Sequence, residues 1–248
     1  MTKFLIAHDL GTSGDKATLF TTDGELVKSI TYVYDTHFFN STWAEQNPDD
    51  WWKAICENNE ELLKEIDKKQ VAGMAFSGQM MGCVPVDKNG RALRPAIIWA
   101  DQRSQNQEKQ IKDKIDEQEF YRIVGHKISA SYSIEKLMWI RDHEPEVFQN
   151  TYKMLQPKDY VIYKLTGKFL TDYTDASGTN CLNLNELKWS ERILAAAEIG
   201  EEKLPDLYPS THVAGEVTGS VAAECGLAPG TPIIIGGGDG VCAAVGAG

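Results

Sequence analysis

Two apolar runs, near opposite ends of the chain, each break on a glycine-rich turn that carries an aspartate. The first, Phe4 to Ala7, closes through His8 on Asp9-Leu-Gly-Thr-Ser-Gly14; the second, Thr231-Pro-Ile-Ile-Ile235, runs into Gly236-Gly-Gly-Asp-Gly240. Glycines let backbone N–H groups turn toward a phosphate and allow very close approach, because no Cβ stands in the way. Either turn alone is ordinary, a hairpin turn with a capping Asp or a helix N-cap. The pair, one at each end of a single domain, is harder to dismiss.

The elements between them set the fold class. Lys16-Ala-Thr-Leu-Phe-Thr-Thr22 is β-prone, Asp23-Gly24 is a strong hairpin signal, and residues 25–34 supply a third strand. The chain thus opens on three antiparallel strands. Asn47-Pro48 predicts a helix start, with Asp49 and Asp50 in its first turn and Trp52, Ile55, Leu62, Leu63 and Ile66 at near-helical spacing behind it. Val71–Phe76 reads as a buried strand ending at Ser77-Gly78. Val84–Asp87 and Ala96–Trp99 flank Lys88-Asn-Gly90 and predict a hairpin. Residues 102–120 and 132–142 predict helices; a strand near Met154, a helix over Asp159–Leu165, a small polar stretch at 171–180 and a helix over 190–198 follow. The class is α/β. A strand meander followed by alternating helices and strands predicts an actin-like (ribonuclease H-like) domain, with a mixed five-stranded sheet flanked by helices.

The totals remove several functions. A chain of 248 residues can bury a core as one large or two small domains, and 42% hydrophobic with 25% charged residues is ordinary for a globular enzyme. A net charge of −11 argues against nucleic-acid partners, which need a basic surface. Cys56, Cys83, Cys181, Cys225 and Cys242 form no CxxC pair, which disfavours a disulfide framework or zinc ribbon and predicts a cytoplasmic home. The Phe4–Ala7 run is too short for a signal sequence or a membrane span, so no membrane partner is expected. His8, His37, His126, His143 and His212 show no ligand spacing. The closing run Val241-Cys-Ala-Ala-Val-Gly-Ala-Gly248 reads as the opening of a buried helix, and predicts a cut near a domain boundary.

Several residues have chemistry to offer. Asp9, at a strand's end, suits a hydrated Mg2+, which takes one or two carboxylates and several waters. Gly11, Thr12 and Ser13 offer phosphate donors, and Lys16 offers charge. There is no GxxxxGK[ST] loop and no GxGxxG opening a helix after the first strand. Asp239, at a helix N-terminus, is expected to stay ionised at neutral pH and can accept a proton. In Ser77-Gly-Gln-Met-Met-Gly82, Gln79 can bond sugar hydroxyls beside an apolar wall of Met80 and Met81; equally, the methionines are core filler. Trp99 offers a flat face, and Asp101 and Arg103 can both face one pocket or form a surface pair beside a core Trp.

Read in order, these segments resemble the FGGY carbohydrate kinases, most of all xylulokinase-like members. The matching pieces are Asp9-Leu-Gly-Thr-Ser-Gly14 with Lys16, Trp43-Ala-Glu-Gln46 before Pro48-x-x-Trp51-Trp52, and Ser77-Gly-Gln-Met80. Further on come Arg94-Pro-Ala-Ile-Ile-Trp-Ala-Asp-Gln-Arg103, Pro157-Lys-Asp-Tyr160 with Leu165-Thr-Gly167, Thr171-Asp-x-x-Asp175-Ala-Ser-Gly178 and Gly236-Gly-Gly-Asp-Gly240. The resemblance spans the whole chain.

It implies that residues 1–248 are the sugar-binding first domain of a two-domain, actin-like kinase that uses ATP and Mg2+, and that the adenine site belongs to a second domain. It further implies Asp9 near Mg2+ (through water), Gly11, Thr12 and Ser13 as a phosphate loop, Gln79, Met80, Met81 and Asp101 at the sugar pocket, and Asp239 as catalytic base. The partner is then a small sugar or polyol, with a homodimer compatible, and the isolated fragment is expected to be inactive. Met81 stands where xylulokinases typically carry His, and Gly240 where many carry Asn, so another polyol, ketose or sugar acid remains open. Two further readings are a catalytically silent sugar-sensing module and a nucleotide-driven actin-like assembly protein.

Overall fold

The computed structural model describes residues 3–248. Strands β1 (Phe4–Leu10), β2 (Gly14–Thr21) and β3 (Leu26–Val33) form the expected meander. With β4 (Val71–Gly78), β5 (Val213–Glu216) and β6 (Pro232–Gly238) they make one six-stranded sheet in the order β5-β6-β4-β1-β2-β3. The pairs β1–β4 and β4–β6 are parallel and the others antiparallel, so the sheet is mixed. It has one strand more than the expected five. The addition is edge strand β5, where Ala214 alone is fully inward, so no alternating pattern announces it.

Five helices matter for the site: α1 (Pro48–Leu62), α2 (Ser133–His143), α3 (Pro157–Thr166), α4 (Tyr173–Ser177) and α5 (Asp239–Ala247). The start of α1 is as the sequence predicts: the Asn47 side chain accepts from Asp49 N, Pro48 fills the first turn, and Trp51, Trp52, Ile55 and Leu62 point inward. Helices α1 and α3 cover one sheet face, enclosing Ile6, Leu10, Leu19, Met74 and Ile233. A second apolar cluster, around Phe120, Leu137, Met138, Leu182 and Ile193, joins α2 to the helices Gln105–Lys112, Glu117–Val124 and Glu191–Ala197.

Three local expectations change. The single helix over 102–120 is two, because Asp116 caps a new start, accepting from the Gln118 and Glu119 amides at 3.0 Å. The expected hairpin forms only in part: its arms meet through the antiparallel bridges Cys83–Ile97 and Val86–Ala92 about the Asp87–Gly90 turn, while Val84–Val86 also pairs with Lys153–Leu155 and Ala96–Ile97 with Glu45–Gln46. Helix α5 forms as expected, but no residue of it is buried; Val245 is 77% exposed. No helix among the described residues is long and apolar enough to cross a membrane.

Candidate active site

The parallel strands β1, β4 and β6 end side by side. Asp9 and Gly237 are both in register with Ser77, and Leu10 and Gly238 with Gly78, so all three strands release their loops at one level. The space outside the carboxyl ends of such strands is where open α/β sheets bind ligands. Gly236 makes this junction possible: its φ is +72°, and an added Cβ would lie 1.7 Å from the Phe76 carbonyl oxygen.

The first turn is held from below. Gly11 N donates to the Asp9 and Gly14 carbonyls at 3.0 Å, and the Gly11 carbonyl accepts from Tyr34 Oη at 2.6 Å and Gln79 Nε2 at 3.2 Å. The Thr12 carbonyl accepts from Gln46 Nε2 at 2.6 Å. Among the described residues the Thr12 and Ser13 amides find no acceptor, which leaves two donors free above the turn. Asp9 and Lys16 face each other across β1 and β2, both exposed, and line an open groove of about 380 Å³ with Thr18, Ser77 and Cys242. His8, one residue back, faces the core: it is buried, stacks on Phe76, and meets Asp15 Oδ2 at 2.8 Å and Asn59 Oδ1 at 3.1 Å.

Asp239 occupies the first position of α5, and its Oδ1 accepts from Gly240 N at 2.7 Å. Burial raises its carboxyl above the usual Asp range despite that amide, and the charge of Asp9 adds to the rise. The shift is opposite to the one a helix terminus alone predicts. Met80 packs on the same turn: a Cβ on Gly238 would lie 2.4 Å from its Sδ.

Trp99 is 43% exposed, and its Nε1 donates to Thr12 Oγ1 at 2.8 Å, tying its ring to the first turn. Asp101 and Arg103 are not beside it in the cleft. Both are buried in an ion pair: Arg103 Nε meets Asp101 Oδ1 and Oδ2 at 2.9 and 3.0 Å, and Nη1 meets Glu45 at 2.7 Å. Asp101 Oδ2 also accepts from Ala44 N at 2.6 Å, and Arg103 lies 3.9 Å from the Trp43 ring centroid. Gln79 is 1% exposed, with its Nε2 spent on Gly11 and Gln46, so it links turns. Met81 is half-buried in left-handed backbone at φ +61°, and its carbonyl accepts from Lys136 Nζ at 2.6 Å. Lys136 also donates to the Ser131 carbonyl; burial pulls its ammonium down to about 8 and pushes neighbouring Glu135 up to about 8.

The structure thus puts Asp9 and Lys16 in one groove, ties Trp99 to Thr12 of the first turn, packs Met80 on Gly238 and brings Asp239 within reach of the Asp9 charge. Gln79, Asp101 and Arg103 are buried and do not line that groove. One group had no role in the sequence reading. Lys158 is fully buried, with Nζ 3.2 Å from Asp159, 3.1 Å from Asp172 and 3.1 Å from Asp175. Its signal was a Lys-Asp pair opening a mostly apolar helix, with two further aspartates in the next small polar segment.

A family model for the N-terminal domain of the FGGY carbohydrate kinases matches residues 4–246. The chain belongs to this family. It is 34% identical over 243 residues to the xylulose kinase of Escherichia coli (strain K12), covering 98% of this chain and 50% of that one. It is 30% identical over 246 residues to the gluconokinase of Bacillus subtilis (strain 168), covering 99% and 48%. The crystal structure of xylulose kinase from Rhodospirillum rubrum superposes with a TM-score of 0.94 at 27% identity, covering 99% of this chain and 51% of that one. The chain spans about half the length of the curated relatives it matches.

Proposed function

We propose that this chain is the sugar-binding half of an ATP-dependent carbohydrate kinase, which transfers the γ-phosphoryl group to a hydroxyl of a sugar or polyol. The observation that carries the reading is that Asp9, near the end of β1, and Asp239, directly after β6, lie on the two parallel strands that flank β4, close enough for the charge of one to shift the other, beside two free amides. Residues that would hold Mg-ATP fit it: Asp9 is exposed and without an ion-pair partner among the described residues, as a water-mediated Mg2+ contact needs, and the Thr12 and Ser13 amides with Lys16 suit phosphate oxygens. Mg-ATP would supply the electrophilic phosphorus and neutralise charge on the departing phosphates.

Asp239 takes the proton of the attacking hydroxyl through its free carboxylate oxygen, while Gly240 N holds the other. Met80, Met81 and Trp99 give the sugar apolar walls, and Asp101 and Arg103 keep the Trp99 segment in place from beneath. The nearby cations Arg94, Arg103 and Lys136 are committed to Glu45, Asp101, Glu144 or backbone carbonyls, which favours a neutral sugar over a sugar acid. Nucleotide closure and the adenine site belong, on this reading, to a second domain.

The test is ADP release by the longest natural polypeptide carrying this chain, across ketoses, polyols and sugar acids, beside Asp239→Ala. One strong substrate is expected, with turnover down by about 10² to 10⁴-fold in the variant. Silence toward every sugar while ATP still binds would sink the kinase reading and favour a sensing module.

A further inference from the structure

The turn that presents Asp239 cannot fasten itself. A Cβ on Gly238 would meet Met80 Sδ at 2.4 Å and one on Gly237 would meet Thr174 Oγ1 at 3.0 Å, so the residues before α5 stay free of side chains. A helix start without a capping Ser, Thr, Asn or Asp leaves its orphan amides to find acceptors elsewhere. Here a neighbour supplies one. Gly238 N donates to Thr174 Oγ1 at 2.8 Å, and that hydroxyl sits 2.6 Å from Asp172 Oδ2. A hydroxyl has one proton, so it donates to the carboxylate and accepts from the amide, which fixes its direction.

Asp172 is fully buried and its contacts are dense. Oδ2 also accepts from Thr174 N at 2.9 Å and Ser210 Oγ at 2.7 Å, and Oδ1 lies 3.1 Å from Lys158 Nζ. The Ser210 carbonyl accepts from Gly236 N at 3.0 Å. Both ends of the glycine turn therefore hang on one carboxylate, Gly238 through Thr174 and Gly236 through Ser210. Stability is a poor explanation for this cluster. Lys158 faces three aspartates, and buried ion clusters of this kind commonly stabilise a fold less than apolar residues of similar size. Placement of the turn explains it better.

We propose that Asp172 is a positioning residue, which acts through Thr174 and Ser210 to hold the Gly236–Asp239 turn so that Asp239 meets the sugar hydroxyl. This rests on the kinase reading above. Misplacing a reacting group by about 1 Å costs on the order of 10²-fold in rate, so the loss falls on kcat and spares ground-state binding.

The experiment compares Thr174→Val, Thr174→Ser and Asp172→Asn in the longest natural polypeptide, with Asp239→Asn as control and xylulose and gluconate as probes. Thr174→Val is expected to lower kcat by about tenfold or more while KM for sugar and ATP moves little, and Thr174→Ser restores the rate. Hydrogen exchange at the Gly238 amide, read by NMR, should quicken in Thr174→Val and not in Thr174→Ser. A purely structural role would lower thermal stability without that split. Turnover that Thr174→Val leaves intact, with Asp239→Asn dead, overturns this inference alone. Should Asp172→Asn not fold, the Thr174 pair decides. No turnover from the unmodified protein overturns the kinase reading and this inference with it.

Discussion

Met81 shows what one backbone angle demands. Its φ of +61° lies in the left-handed region, where β-branched residues are rare and His, Asn and Asp are enriched. Lys136 holds its carbonyl there. Met81→Val is expected to lower stability by about 1–3 kcal/mol, and Met81→His by much less; equal denaturation midpoints for the two would refute the strain argument. Single residues were legible in the sequence where glycine marked them. Asp9 and Asp239 stood out because each stands by a glycine-rich turn at a strand end, and both are exposed. Asp101 and Arg103 were legible as a pair but not as a buried one. Their burial depends on Trp43, Glu45 and Ala44, all more than fifty residues earlier in the chain, and two-residue spacing cannot report that.

Elements were legible in proportion to how local their causes are. Helix α1 follows from its own Asn47-Pro48 start, and the β1–β2–β3 meander from Asp23-Gly24 and its own tight turns. The segment 96–103 does not, since its strand pairs with Glu45–Gln46 and its ion pair reaches the same strand. That ion pair fastens the short strand Trp43–Gln46 to the Trp99 segment. Arg103→Met strands Asp101 as a buried carboxylate, while Glu45 keeps Arg94, and its expected cost is about 3–5 kcal/mol in chemical denaturation. Arg103→Lys recovers only part, because an ammonium cannot bind Asp101 in two places and Glu45 at once. Full recovery by Lys would show that charge alone matters there.

Across the whole molecule, the buried cluster links stability to pH with two opposite signs. Burial raises the carboxyls of Asp159 and Asp175; the native state therefore holds those protons more tightly, and stability from them fades as pH climbs past the ordinary Asp value of 3.8. Asp172 is also pushed up by burial, but Lys158 and the bonds from Thr174 and Ser210 bring it below 3.8. Its contribution is present above that value and vanishes as pH falls through the native one. Asp175 meets Lys158 at 3.1 Å through Oδ2, but its Oδ1 has no hydrogen-bond partner among the described residues. Asp175→Asn is expected to raise the denaturation midpoint at pH 7, with the gain shrinking toward pH 4. Loss of stability at neutral pH would reverse the assignment. None of this was legible beforehand, because the four charges come from two segments that only the folded sheet brings together.

The parallel alignment of β1, β4 and β6 also has a consequence for how the chain is made. Strand β4 must wait for β6, which lies about 150 residues further along; at roughly 5–20 residues per second of synthesis, that is about 8–30 s with one edge of β4 bare. A bare apolar edge recruits other strands. The Gly11–Ser13 turn can thus form early on the ribosome, whereas the turn bearing Asp239 joins it only after β6 is made, and the interval between them is when the nascent chain is most open to mispairing.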